Sequence, residues 1–130
     1  MKEISEVRCP CLSGVLYDSC CGPLHRDEAF AQTAEQLMRS RFSAFAVGDP
    51  DYLLRTWAPT TRPSTLDLDA DRRWYRLDIL SASEGGPFDR TGVVEFEAFH
   101  RGPGGAGSQH ESSRFVREGG RWFYLNGVAL

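Results

Sequence analysis

The 130-residue chain is 41% hydrophobic and carries three Trp, four Tyr and eight Phe, enough for one globular domain with a short appendage. Its 15 basic and 18 acidic residues are scattered and leave a net charge of −3, which excludes a basic tract for nucleic acid or anionic lipid. No run of about 18 apolar residues is present to cross a bilayer, and the charged start Met1-Lys2-Glu3-Ile4-Ser5-Glu6 lacks the apolar core of a secretory signal, so the expected compartment is the cytoplasm.

The most specific feature comes first in the chain. All four cysteines fall between positions 9 and 21, as Cys9-Pro10-Cys11, an eight-residue loop, then Cys20-Cys21-Gly22. A disulfide framework spreads its cysteines to staple distant loops. Here no bridge reaches the main body, and the adjacent Cys20 and Cys21 are awkward disulfide partners. A redox pair of the Cys-x-x-Cys kind is also absent. Two short chelates joined by a loop instead suit one Zn²⁺ held by Cys9, Cys11, Cys20 and Cys21. Ser13-Gly14 turns the chain after the first pair, and Gly22-Pro23 releases it after the second. Protein fills every coordination position, so the metal is expected to be structural; catalytic zinc keeps one position open. Four thiolates on one divalent ion leave about −2, which Arg8 and Arg26 are placed to offset. His25 is a second candidate ligand in place of one thiolate, or else a solvated loop residue. Leu12, Val15, Leu16 and Tyr17 form an apolar tip in a segment too small to bury all four.

A loop over 23–32 leads to a helix expected over 34–47. Thr33 and Gln36 are spaced as a capping box, and Gly48 supplies the stop. Leu37, Met38, Phe42, Ala44, Phe45 and Ala46 fall on one broad face. Arg39 and Arg41, two apart, do not share the outer face, so at least one turns inward. A buried arginine needs a carboxylate; a structural ion pair is the expected reading and an anion site the second. Asp49-Pro50 opens another helix reaching about Trp57, stopped by Ala58-Pro59. Residues 67–73 are charged and read as at most a helical turn.

From Trp74 the period changes to two. Strands are expected over 75–83, 93–101, 108–117 and 121–128, with turns at Gly85-Gly86-Pro87, a flexible glycine-rich stretch over 102–107, and Glu118-Gly119-Gly120. Leu77 and Ile79 share a face, as do Trp122 and Tyr124. Val94, Phe96, Ala98 and His100 share another, with Glu95 and Glu97 opposite. Trp57, Trp74 and Trp122 are assigned to the core. Helices followed by hairpin-linked strands define an α+β fold with an antiparallel sheet.

These segments resemble the YchJ-like family of small bacterial proteins. The spacing Cys-x-Cys, eight residues, Cys-Cys-Gly resembles the SEC-C zinc motif. Leu37-Met38-Arg39-Ser40-Arg41-Phe42-Ser43-Ala44-Phe45, Tyr52-Leu53-Leu54-Arg55-Thr56-Trp57, Thr61-Arg62-Pro63, His110-Glu111-Ser112-Ser113-Arg114-Phe115 and Trp122-Phe123-Tyr124 resemble that family's nuclear transport factor 2-like domain. The resemblance implies a zinc motif over 1–25 and, over 26–130, a cone of helices wrapped by a curved sheet, often with an internal cavity. It implies no established activity. Two functions compete. The favoured one is a non-enzymatic docking or scaffold module with a possible small-ligand cavity, whose knob contacts a protein and neither nucleic acid nor membrane. Residues 1–32 hold three basic and five acidic side chains, so that contact is expected to be apolar rather than electrostatic. The alternative is an isomerase or hydrolase working in the cone, with His100 as the catalytic base and His110 approaching it from the next strand. Glu95 and Glu97 are read as solvated.

Overall fold

Two capped helices start where the sequence places them. Thr33 has the extended backbone of an N-cap, and its Oγ1 accepts the Gln36 N–H at 3.1 Å. The Gln36 side chain reaches one residue further back than in a capping box and accepts the Gln32 N–H at 2.7 Å. The chain leaves this helix through Gly48, left-handed at φ 76°, a geometry that glycine adopts without a Cβ clash. Replacing Thr33 by Ala removes the cap and should cost about 1 kcal/mol in urea unfolding, with Thr33→Asp close to wild type. Asp49 caps the next helix by accepting the Tyr52 N–H at 3.1 Å, with Pro50 at the first position.

The computed structural model describes residues 7–130; the charged start over 1–6 lies outside the described residues. A 3₁₀ turn, Tyr17–Ser19, precedes helices α1 (Cys21–His25), α2 (Ala34–Val47) and α3 (Pro50–Arg55). Strands β1 (Arg73–Glu84), β2 (Thr91–Gly102), β3 (Gly105–Glu118) and β4 (Arg121–Ala129) follow as an antiparallel meander in the order β1-β2-β3-β4.

Four expectations are corrected. The stretch read as a loop from residue 23 begins inside α1, which takes Pro23 in its first turn, where no helical N–H is needed. Helix α3 stops at Arg55, because Trp57 is drawn into a parallel bridge with Tyr124: Tyr124 N–H donates to Thr56 O, and Ala58 N–H to Tyr124 O, both at 2.8 Å. Residues 67–72 form no helical turn; one turn closed by Arg72 N–H to Asp69 O at 3.1 Å leads into β1. The glycine-rich stretch is mostly strand. Gly102 pairs with Gly105 across the two-residue turn Pro103-Gly104, and Gly105 supplies φ 105°.

Tyr75 and Leu80 are extra residues at two irregularities in the β1–β2 register. The bulge at Tyr75 restores the face, so Trp74, Leu77 and Ile79 all turn inward opposite His100, Ala98 and Phe96. Helix α2 lies on this inner face. At its start Ala34 N–H donates to Gly85 O at 2.9 Å, and a Cβ on Gly92 would sit 2.6 Å from the Gly85 Cα. The main core gathers Leu37, Phe42, Leu53, Val94, Phe115 and Trp122. Ser40, Arg41 and Ser43 are buried as well. Helix α2 is therefore covered on two sides: by the sheet, and by the cysteine-bearing segment.

Candidate metal centre

The N-terminal segment is a tight hairpin. Cys9 N–H donates to Val15 O at 2.8 Å and Leu12 N–H to Cys9 O at 3.1 Å, while Arg8 and Leu16 form an antiparallel bridge. The 3₁₀ turn then delivers Cys20, and α1 begins on Cys21. All four sulfurs lie within 4.8 Å of one another, and none is in a disulfide. The Cys11–Cys20 Sγ separation is 3.7 Å. A regular tetrahedron of sulfurs about 2.3 Å from a metal has edges of about 3.8 Å. Three of the four cysteines are buried; Cys20 is half-buried.

Hydrogen bonds with the Cys11 and Cys21 thiols hold the Cys9 thiol far below its ordinary range. Bonds with Cys11 and Cys9 push the Cys21 thiol up, and burial pushes Cys20 up to about 11. The cluster thus favours one thiolate and resists the next. A divalent cation removes that resistance by neutralising the charge that accumulates. Hydroxyls surround the sulfurs. Ser13 Oγ is 3.1 Å from Cys20 Sγ; Ser43 Oγ, from α2, donates to Cys21 Sγ at 3.3 Å and lies 3.4 Å from Cys9 Sγ. Such contacts orient the ligands of a metal. Sequence reasoning missed Ser43; its only signal was a polar residue amid an apolar helix face.

His25 is neither a ligand nor a solvated loop residue. Its Nε2 bonds to the Ser40 carbonyl at 2.9 Å, and its Nδ1 bonds to the Tyr17 hydroxyl. A carbonyl only accepts, so Nε2 carries the proton and Nδ1 accepts from Tyr17. Burial lowers the His25 pKa and keeps the ring neutral. This chain clamps the cysteine hairpin to α2. Arg39 adds a second tie, donating to Cys11 O at 2.9 Å and pairing with Glu35 at 3.2 Å. The charge offset expected of Arg26 is not available, because Arg26 is committed to Asp18 at 2.7 Å and Glu28 at 2.8 Å. The expected apolar tip survives in part. Leu12, Val15 and Leu16 are 53%, 43% and 42% exposed, whereas Tyr17 is turned inward at 9%.

The catalytic alternative loses its orienting partners. His100 keeps the expected inner face, but its ring packs on Trp74, centroids 4.9 Å apart, and makes no hydrogen bond among the described residues. His110 does not approach it. It lies on the outer face and bonds to Glu95 at 2.6 Å. Of the two helix arginines, Arg39 has the expected ion pair; Arg41 is buried and has none among the described residues.

Fold and site together define the class: an α+β domain of the nuclear transport factor 2-like kind that carries an N-terminal cluster of four cysteines. The family model for the YchJ middle NTF2-like domain matches residues 33–127. A UPF0225 protein of Corynebacterium efficiens is 53% identical over 122 residues, spanning 94% of this chain and 93% of that one. A UPF0225 protein of Streptomyces coelicolor is 52% identical over 122 residues, spanning 94% and 95%. The solution structure of a SEC-C motif containing protein from Rhodopseudomonas palustris matches with TM-score 0.82 at 38% identity, covering 95% of this chain and 99% of that one. A crystal structure of a SEC-C motif containing protein from Psychrobacter arcticus matches with TM-score 0.78 at 30% identity, covering 95% and 82%. The chain belongs to the YchJ-like, UPF0225 family. Among the described residues, no helix is long and apolar enough to cross a membrane.

Proposed function

We propose that Cys9, Cys11, Cys20 and Cys21 hold one structural Zn²⁺, and that the stiffened knob docks a protein partner on a nuclear transport factor 2-like scaffold. The observation that carries this reading is the convergence of four sulfurs within 4.8 Å. Four protein ligands leave no open position, so zinc there supplies rigidity rather than Lewis-acid chemistry. The rigid hairpin offers Leu12, Val15 and Leu16 to solvent, and an exposed apolar group on a fixed frame suits a protein contact. The knob comprises residues 1–25 and the scaffold 26–130, and the protein works in the cytoplasm, where thiols stay reduced. The catalytic alternative lacks support at its base, since among the described residues no carboxylate is hydrogen-bonded to His100.

The test has two arms. Purified protein should carry about one zinc per chain, with X-ray absorption showing four sulfurs at about 2.3 Å; a shell dominated by nitrogen or oxygen overturns the assignment. Leu16→Ser should weaken partner capture by about tenfold at every salt concentration. Capture that survives Leu16→Ser yet collapses with added salt assigns the contact to charge instead.

A further inference from the structure

A cavity of about 390 Å³ lies between α2 and the inner face of the sheet, within the range of small-molecule sites. Met38, Phe42, Phe45, Trp74 and Phe96 give it apolar and aromatic walls. Arg41 lines it while only 4% exposed. Arg41 Nη1 donates to Leu53 O at 2.7 Å and Thr56 Oγ1 at 2.8 Å. Among the described residues, no hydrogen bond uses its Nε or Nη2, and no carboxylate lies within ion-pair distance. Its Cζ rests 4.6 Å from the Tyr124 ring centroid and 5.4 Å from that of Trp57. Burial lowers its pKa to about 10, which leaves a full cation at neutral pH.

Two further buried polar atoms belong to residues that line the same cavity. Trp57 Nε1 and Ser113 Oγ are buried with no hydrogen-bond partner, and both residues line the space. Buried polar groups are rarely unpaired, and a buried cation without an anion is rarer still. An indole N–H, a hydroxyl and an open guanidinium edge are all groups that donate to a carboxylate, which accepts through two oxygens and matches the planar fork of arginine. The remaining charges set the valence of the guest. Asp67 and Asp69 are exposed, Glu111 is half-buried, and Arg72 is exposed, so the lining holds three acids against two arginines. That balance opposes phosphates and other multiply charged anions more strongly than it opposes a monoanion held directly on Arg41.

From this we infer that the cone cavity binds a small organic monocarboxylate, its carboxylate on Arg41, Trp57 Nε1–H and Ser113 Oγ–H, its apolar body against the aromatic walls. The inference is independent of the metal in the knob. It is tested by titrating the full-length ¹⁵N-labelled protein with benzoate, phenylacetate and octanoate, with their neutral amides, and with inorganic phosphate, reading the indole and arginine Nε–H signals. At least one carboxylate should shift the Trp57 and Arg41 signals and bind about tenfold or more tightly than its amide. Arg41→Met should remove that preference. Trp57→Phe, which keeps an aromatic ring and deletes only the N–H, should weaken the carboxylate by severalfold and leave the amide unchanged; it serves also where Arg41→Met fails to fold. Equal binding of acid and amide, stronger binding of phosphate, or no shift with any carboxylate up to about 10 mM overturns the inference.

Discussion

Chelating the proposed metal should abolish amide protection over residues 7–22 and leave the four-stranded sheet folded and protected. The hairpin has almost no core of its own. Its buried cluster is Cys9, Cys11, Tyr17 and Cys21 with Cys20 against it, so nearly all of its interior is cysteine sulfur. A structural zinc contributes on the order of 10 kcal/mol to a fold of this kind, and nothing else in the segment replaces it. The core beneath the sheet is a separate cluster and contains Leu24. Arg55 holds the carbonyls of Leu24 and His25 at 3.3 and 2.6 Å. Unfolding should therefore stop inside α1. Helix α2 should register the loss locally, because Ser43 loses two sulfur neighbours and Arg39 loses the Cys11 carbonyl. Hydrogen exchange with and without chelator measures this, and Cys11→Ser should reproduce the chelated pattern. Opening of the whole sheet would show that knob and cone are one cooperative unit.

The cysteine cluster was legible because its members are local: two chelating pairs separated by one short loop. Caps and strands were legible for the same reason, since Thr33, Gly48, Asp49 and the alternation around Val94 act on neighbouring residues. What the sequence hid depends on partners far along the chain. Ser43 meets Cys21 across 22 positions, and His25 meets Ser40 across 15. Neither contact leaves a periodic trace. The bulges at Tyr75 and Leu80 are set by register with β2. The glycines of 102–107 read as flexible until β2 and β3 pair across them. Arg41 turns inward as expected but, among the described residues, without the ion pair, because α3 and β4 close over it: it donates to Leu53 O and Thr56 Oγ1 and lies against the rings of Trp57 and Tyr124.

Phe42→Ala should destabilise the cone by about 3–5 kcal/mol. Phe42 is 2% exposed on the sheet-facing side of α2, and its ring meets Trp74 edge-on with centroids 6.4 Å apart. Truncation loses the transfer free energy of the ring and leaves a void that the neighbours fill only partly. Because Phe42 already borders the cavity, its removal enlarges an existing space rather than opening a sealed one, so water can enter and the cost should fall toward the lower end of that range. Domains of this size are stable by about 5–15 kcal/mol, so the urea midpoint should fall steeply. Phe42→Leu, which refills most of the volume, should recover the greater part. Metal release followed in the same urea series carries the decisive comparison with chelation. Ser43 sits about 100° round α2 from Phe42 and its hydroxyl meets the cysteine sulfurs rather than the sheet, so the proposed zinc should stay bound in the folded fraction. It should leave only as the cone unfolds, because Ser43, Ser40 and Arg39 hold the hairpin only while α2 is helical. Cone unfolding would then release the metal, whereas metal loss would leave the cone folded but less stable, since linkage between the two is reciprocal. A loss of less than about 1 kcal/mol on Phe42→Ala would show that the packing of α2 on the sheet is not what secures the fold.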